Sequence, residues 1–148
     1  MALAFTTRSA VPADVEFAFA VTEAAMRSYV EQTWGEWKAD WQREHHEASF
    51  KAVPHEVVLV GAARAGILMV SEAPTYLQLE KLYLLPEFQN QGFGAALLEQ
   101  VLRRGRAISK PVCLRVLAVN TSAQRFYARH GFRIIERTAE RYVMAAGT

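Results

Sequence analysis

The chain has 148 residues, of which 51% are hydrophobic and 22% charged, enough for one domain over residues 1–148 with an ordinary globular core. A formal net charge of +2 is too small for a nucleic-acid footprint, and no apolar run reaches membrane-spanning length. One cysteine excludes an internal disulfide; with no signal-peptide pattern at the N-terminus, the expected location is the cytoplasm.

In chain order, residues 3–8 read as a short first strand. Pro12 marks a turn, and Asp14 is placed to cap the helix that follows. Val15, Phe17, Phe19, Val21, Ala25 and Tyr29 give that helix a broad apolar face. The pattern breaks over residues 28–37, with Gly35 as a kink or junction, and a second helix is expected from Trp37 to Phe50. Trp34, Trp37 and Trp41 stand three and four apart, so one helical face would carry all three if the helix starts early enough. As core they would pack on the sheet; as a pocket wall they would meet a ligand. The pair His45-His46 lacks a metal-ligand partner at useful spacing, and no H-E-x-x-H or Cys/His cluster occurs, so no metal is expected and both histidines read as surface or supporting residues.

Residues 56–60 and 65–70 form a predicted hairpin about residues 61–64, followed by a long strand over residues 76–85 closed by Pro86. A helix is expected from Gln91 to about Ile108, then a nearly continuous apolar strand over residues 112–119. A short helix over residues 121–130 follows, with Gly131 just past its end. Residues 132–137 and 141–145 close the chain as a second hairpin. This order is α+β: a central mixed, mostly antiparallel sheet of six to seven strands flanked by about four helices.

Between the long strand and the third helix lies Gln89-Asn90-Gln91-Gly92-Phe93-Gly94. Two glycines at a helix start suit a phosphate, because the N–H groups there are unpaired and the helix dipole is positive. The spacing lacks the third glycine of a dinucleotide fingerprint and the G-K-[S/T] of a P-loop. It does match Q-x-x-G-x-G. Downstream, Asn120, Ala123, Tyr127, Gly131 and Phe132 match N-x-x-A-x-x-x-Y-x-x-x-G-F. With both motifs in this order, the chain resembles the GCN5-related N-acetyltransferases, the GNAT superfamily, from end to end.

That resemblance implies transfer of an acetyl group from acetyl-CoA to a primary amine of a small molecule or peptide, by direct attack in a ternary complex. Backbone groups of Leu82, Tyr83 and Leu84 would bind the pantetheine arm, an N–H near Leu84 would stabilise the oxyanion, and the N–H groups of Gln89, Asn90, Gln91, Gly92, Phe93, Gly94 and Ala95 would hold the pyrophosphate. Asn120 would lie near the pantetheine, and Tyr127 would be the general acid on the departing thiolate. Glu80, on the same alternating face as Leu82 and Leu84, is the candidate base; a salt bridge to a neighbouring arginine or a water chain without any base are the alternatives. The glutamate of the histone-acetylating branch falls at Gln78, which speaks against a histone-type acceptor. Tyr29, Trp34 and Trp37 would contribute to the acceptor wall. A non-catalytic acetyl-CoA-binding module of the same fold is the competing reading, and a homodimer is an option the family offers. No nucleic-acid or membrane partner is expected.

Overall fold

The computed structural model describes residues 4–147. Its strands are β1 (Thr6–Ser9), β2 (Glu56–Val60), β3 (Ala63–Glu72), β4 (Leu77–Leu84), β5 (Val112–Leu117), β6 (Arg133–Arg137) and β7 (Arg141–Ala146). Four helices accompany them: α1 (Val15–Trp34), α2 (Ala39–Ala52), α3 (Phe93–Ala107) and α4 (Thr121–Arg129). The strands form one open sheet in the order β1-β2-β3-β4-β5-β7-β6. β4 and β5 pair in parallel, whereas β1–β2, β2–β3, β5–β7 and β6–β7 are antiparallel, giving the expected mixed α+β sheet. The residues preceding Ala4, where the first strand was expected to begin, lie outside the described residues.

By their internal contacts the residues fall into two units. One is the chain up to Met69 together with Lys81–Gly94; the other is Val70–Glu80 together with the chain from Ala95. In the first unit, α1 lays Ala18 and Val21 against Ile67 of β3, and Phe17, Phe50, Tyr83 and Leu85 pack around them. In the second, Leu97, Leu98 and Val101 of α3, with Val112, Leu114 and Met144, are fully buried. These are the apolar positions that the helical and strand periodicities mark.

Three expectations change. The first helix does not break near residue 28. It continues to Trp34 and ends on Gly35, whose φ of 94° places it in the left-handed cap conformation and whose N–H donates to the Glu31 carbonyl at 2.8 Å. Because α2 begins only at Ala39, the three tryptophans share no helix face: Trp34 is 49% and Trp41 56% exposed, while Trp37, in the connection, is buried.

Asp14 precedes α1 but its side chain does not cap it. The 3-10 turn Pro12–Asp14 aims the carboxylate back toward β1. There it accepts from both Arg8 guanidinium NH₂ groups, at 2.7 and 3.0 Å, from Arg64 at 3.2 Å and from the Val11 N–H at 2.8 Å. Hydrogen bonding by Arg8, opposed by burial, holds the carboxyl far below the usual carboxylate range.

His46 is not a surface residue. It is buried on α2 with its ring 5.3 Å from that of Phe19 and 6.0 Å from that of Phe50, and His55 is buried beside them. Its place on the inner face of an otherwise polar helix is what the doublet His45-His46 conceals: His45 lies on the outside, stacked on Trp41 at 5.0 Å.

Candidate functional site

One candidate element is the end of β4 and the turn after it. At Gly66 of β3 an added Cβ would stand 2.1 Å from the Tyr83 carbonyl oxygen and 3.0 Å from Leu84 Cα. Only a residue without a side chain lets the two backbones approach this closely. One residue on, the Leu85 N–H donates to the Ala65 carbonyl at 2.8 Å. Tyr83 and Leu85 therefore direct their backbone groups toward β3, and by the alternation of a strand Leu82 and Leu84 direct theirs to the other edge. The parallel ladder with β5 pairs Leu77, Gln78 and Leu79 with Val112, Cys113 and Leu114.

Pro86–Phe88 then forms a 3-10 turn. The Gln89 side-chain amide donates to the Leu84 carbonyl at 2.9 Å, and the Gln91 amide donates to the Glu87 carbonyl at 2.7 Å. The Gln89 N–H is itself bonded to the Pro86 carbonyl at 3.1 Å, so this residue braces the turn rather than offering its N–H to a ligand. Asn90 and Gly92 both take positive φ, 60° and 90°, which curls the exposed backbone ahead of α3. Phe93 begins the helix with its side chain buried and edge-on to Phe5, leaving its N–H as the group it can offer. The helix was expected from Gln91; the two left-handed residues delay it to Phe93. Its first four N–H groups lack intrahelical partners, and no acidic side chain stands in its first turn to neutralise the dipole. Chemically, this turn suits a bound diphosphate.

A separate group of candidate residues lies on and beside α4. Asn120 caps that helix, its Oδ1 accepting from the Ala123 N–H at 3.1 Å. Tyr127 packs edge-on to Phe126 and Phe132, at 5.2 and 5.6 Å. Burial pushes its phenol up to about 12, so it stays protonated throughout the neutral range. Glu80 stands 3.7 Å from Arg115 of β5, an arm's-length ion pair. Trp37 is buried with its Nε1 unpaired among the described residues, Trp34 is exposed at the end of α1 and Tyr29 is half-buried on the same helix. Among the described residues no group of three or more His, Cys, Asp or Glu side chains could hold a metal, and no helix is long and apolar enough to cross a membrane.

Two contributors escape the sequence reading. Gly66 lies in a strand, and only an interior glycine among apolar neighbours marks it as a place of close backbone approach. The brace from the Gln89 side chain has no local pattern that would announce it.

A model of the acetyltransferase (GNAT) family matches residues 16–132, and the protein belongs to that family. Three mycobacterial proteins named as uncharacterized N-acetyltransferases, from Mycobacterium bovis and two strains of Mycobacterium tuberculosis, are 44% identical to it over 59 residues. That stretch is 39% of this chain and only 38% of the relatives' length. Among solved structures, the PaiA N-acetyltransferase of Thermoplasma acidophilum, in complex with coenzyme A, superposes with a TM-score of 0.81 at 16% identity, covering 98% of this chain and 99% of its own. The ribosomal-protein-S18-alanine N-acetyltransferase of Escherichia coli gives a TM-score of 0.67 at 18% identity, covering 97% and 93%. At these identities the likeness establishes the fold.

Proposed function

We propose that this chain, as a single N-acetyltransferase domain over residues 1–148, moves an acetyl group from acetyl-CoA to a primary amine of a small molecule or peptide, by direct attack in a ternary complex. The observation behind this reading is the braced turn before α3, with positive φ at Asn90 and Gly92 and an unneutralised helix start. Asn90 to Ala95 would hold the pyrophosphate on their N–H groups. The coenzyme A in the Thermoplasma structure supports the same ligand here. Acetyl-CoA supplies an activated acetyl group and a thiolate leaving group.

Leu82 and Leu84 would pair with the pantetheine arm as a short added strand. The Leu84 N–H, with its own carbonyl already occupied by Gln89, would donate to the acetyl oxygen as negative charge develops. Tyr127 would present its O–H to the departing sulfur. A phenol near 12 is a weaker acid than a thiol of about 8.5 by some 3 units, so its part is to hydrogen-bond the thiolate, with the proton ultimately supplied from solvent. Glu80, tied to Arg115, would take the amine proton through water, or a water chain would do so alone. Exposed Trp34 and half-buried Tyr29 would offer an aromatic surface to a cationic acceptor, and Trp37 would contribute to the same wall.

The test is incubation with acetyl-CoA and a panel of polyamines, amino acids, aminoglycosides and short peptides while free thiol is followed. Thiol release that depends on one acceptor class is expected. Acetyl-CoA binding without release would turn the reading to a non-catalytic module, and no binding would overturn it.

A further inference from the structure

Most arginines of this protein face a carboxylate. Arg8 and Arg64 meet Asp14, Arg27 meets Glu23 and Glu31, Arg43 meets Glu16, Arg103 and Arg106 meet Glu99, and Arg115 meets Glu80. Arg125 and Arg133 have no such partner among the described residues, and Arg137 has only the Tyr142 ring beneath it, 5.6 Å away. These three uncompensated cations line one open groove of about 450 Å³ between α4 and β6, with Phe132, Ile134 and Met144 among its apolar lining residues.

The groove runs along the last strand of the sheet. The outer edge of β6 has no neighbouring strand among the described residues. Its register with β7 shifts between Ile134 and Glu136, and the bulged Ile135 is 56% exposed. Basic side chains and a bulge on an edge strand also guard against aggregation, and Arg133 and Arg137 by themselves would be read that way. Arg125 guards no edge. It sits on α4, yet it lines the same groove.

We propose that the α4–β6 groove is a docking site for an extended acidic peptide segment of a partner protein. Guanidinium forks match carboxylates in geometry as well as charge, so three of them about an apolar floor suit glutamate or aspartate alternating with an apolar residue. The free edge of β6 supplies main-chain hydrogen bonds of the kind an added strand uses. A nucleic acid is the poorer match. The one aromatic ring lining the groove, Phe132, is 3% exposed and offers no platform for a base, and the chain as a whole carries only +2.

The experiment titrates the full-length protein into a fluorescently labelled peptide alternating glutamate and valine, and in parallel into its glutamine counterpart and a labelled oligothymidine, at low and high salt. The acidic peptide should bind about tenfold or more tightly than the glutamine peptide at low salt and weaken as salt rises. The double variant Arg125→Gln/Arg133→Gln, with its thermal unfolding unchanged, should lose about tenfold. Should the pair disturb folding, Arg125→Gln alone, on the exposed side of a helix, should lose about threefold. Equal binding of the two peptides, or undiminished binding by a folded variant, would overturn the proposal. Tighter binding of oligothymidine, lost in the same variant, would also overturn it and assign the surface to nucleic acid.

Discussion

The side-chain amide of Gln89 donates to the carbonyl of Leu84 at 2.9 Å, closing a five-residue loop between the end of β4 and the turn that leads into α3. The bond satisfies the last outward-facing carbonyl of the strand and fixes where the turn begins. In Gln89→Ala that carbonyl would bond water and the turn would have to be ordered by the ligand instead. The KM for acetyl-CoA should rise about three- to tenfold, the equivalent of one neutral hydrogen bond, with kcat within about twofold. Because Gln89 is exposed, unfolding free energy should move by less than about 0.5 kcal/mol. Steady-state kinetics alongside denaturant unfolding separates the two effects; a fall in kcat with unchanged KM would refute the brace.

Gly66 acts on the same strand end from the other side. A methyl group there would meet the Tyr83 carbonyl oxygen at 2.1 Å, so β3 and β4 would have to part. Gly66→Ala should therefore cost roughly 2 to 3 kcal/mol of stability, near the upper end for overpacking, because the obstacle is backbone rather than a side chain that can rotate away. Affinity for acetyl-CoA should fall with it. Urea unfolding and calorimetric binding check both, and a variant as stable as the parent would show that the approach is not required.

Tyr127 is held by Phe126 and Phe132 and keeps its proton to about 12. Tyr127→Phe preserves the ring and its packing while removing the O–H. It should lower kcat about a hundredfold and leave the KM for acetyl-CoA within about threefold, since in the proposed mechanism the lost bond would form to a sulfur that carries charge only late in the reaction. The parent's rate should show no loss from ionisation of Tyr127 itself below the high alkaline range. The pH–rate profiles of parent and variant provide the measurement.

The element order, the sheet class and the family were all readable from residues, because each rests on local signals: alternation in β4, helix formers in α3, and two motifs fixed by short spacings. Placement across the chain was not. Asp14 looked like a helix cap because Asp before an apolar run usually is one; its partner Arg64 stands 50 residues away. The tryptophan spacing suggests one face, but α1 ends on the left-handed Gly35 and α2 starts only at Ala39, so Trp34 and Trp41 stand on different helices. Likewise, the motif marks the position of Gln89, while the work of its side chain depends on how β4 turns.

The buried histidines make stability depend on mild acid. His46 Nε2 lies 3.3 Å from the Val15 carbonyl and its Nδ1 has no partner among the described residues; His55 Nδ1 donates to the Val53 carbonyl at 2.8 Å, leaving Nε2 to face the Lys81 ammonium at 3.2 Å. Burial first, and the Lys81 charge with it, lower the His46 imidazolium to about 4 and push His55 down as well. Arg43 adds a further positive charge from α2. In the unfolded chain both would titrate near 6.5. A depressed folded pKa means that the unfolded state binds the proton first. The stabilisation is thus complete above about 6.5 and is lost as the pH falls through about 4, His46 alone accounting for up to about 3 kcal/mol. His46→Phe would keep an aromatic ring against Phe19 and Phe50 while removing that proton uptake. Between pH 7 and 4 the thermal midpoint of the parent should fall clearly more steeply than that of His46→Phe. The stabilisation from Asp14 is present above about 3.8 and is lost as the pH falls below it, so it adds to acid lability at the low end of this range, equally in parent and variant, and cancels from the comparison. Parallel pH slopes in parent and variant would show that His46 stays neutral in both states and would remove it as the source of acid lability.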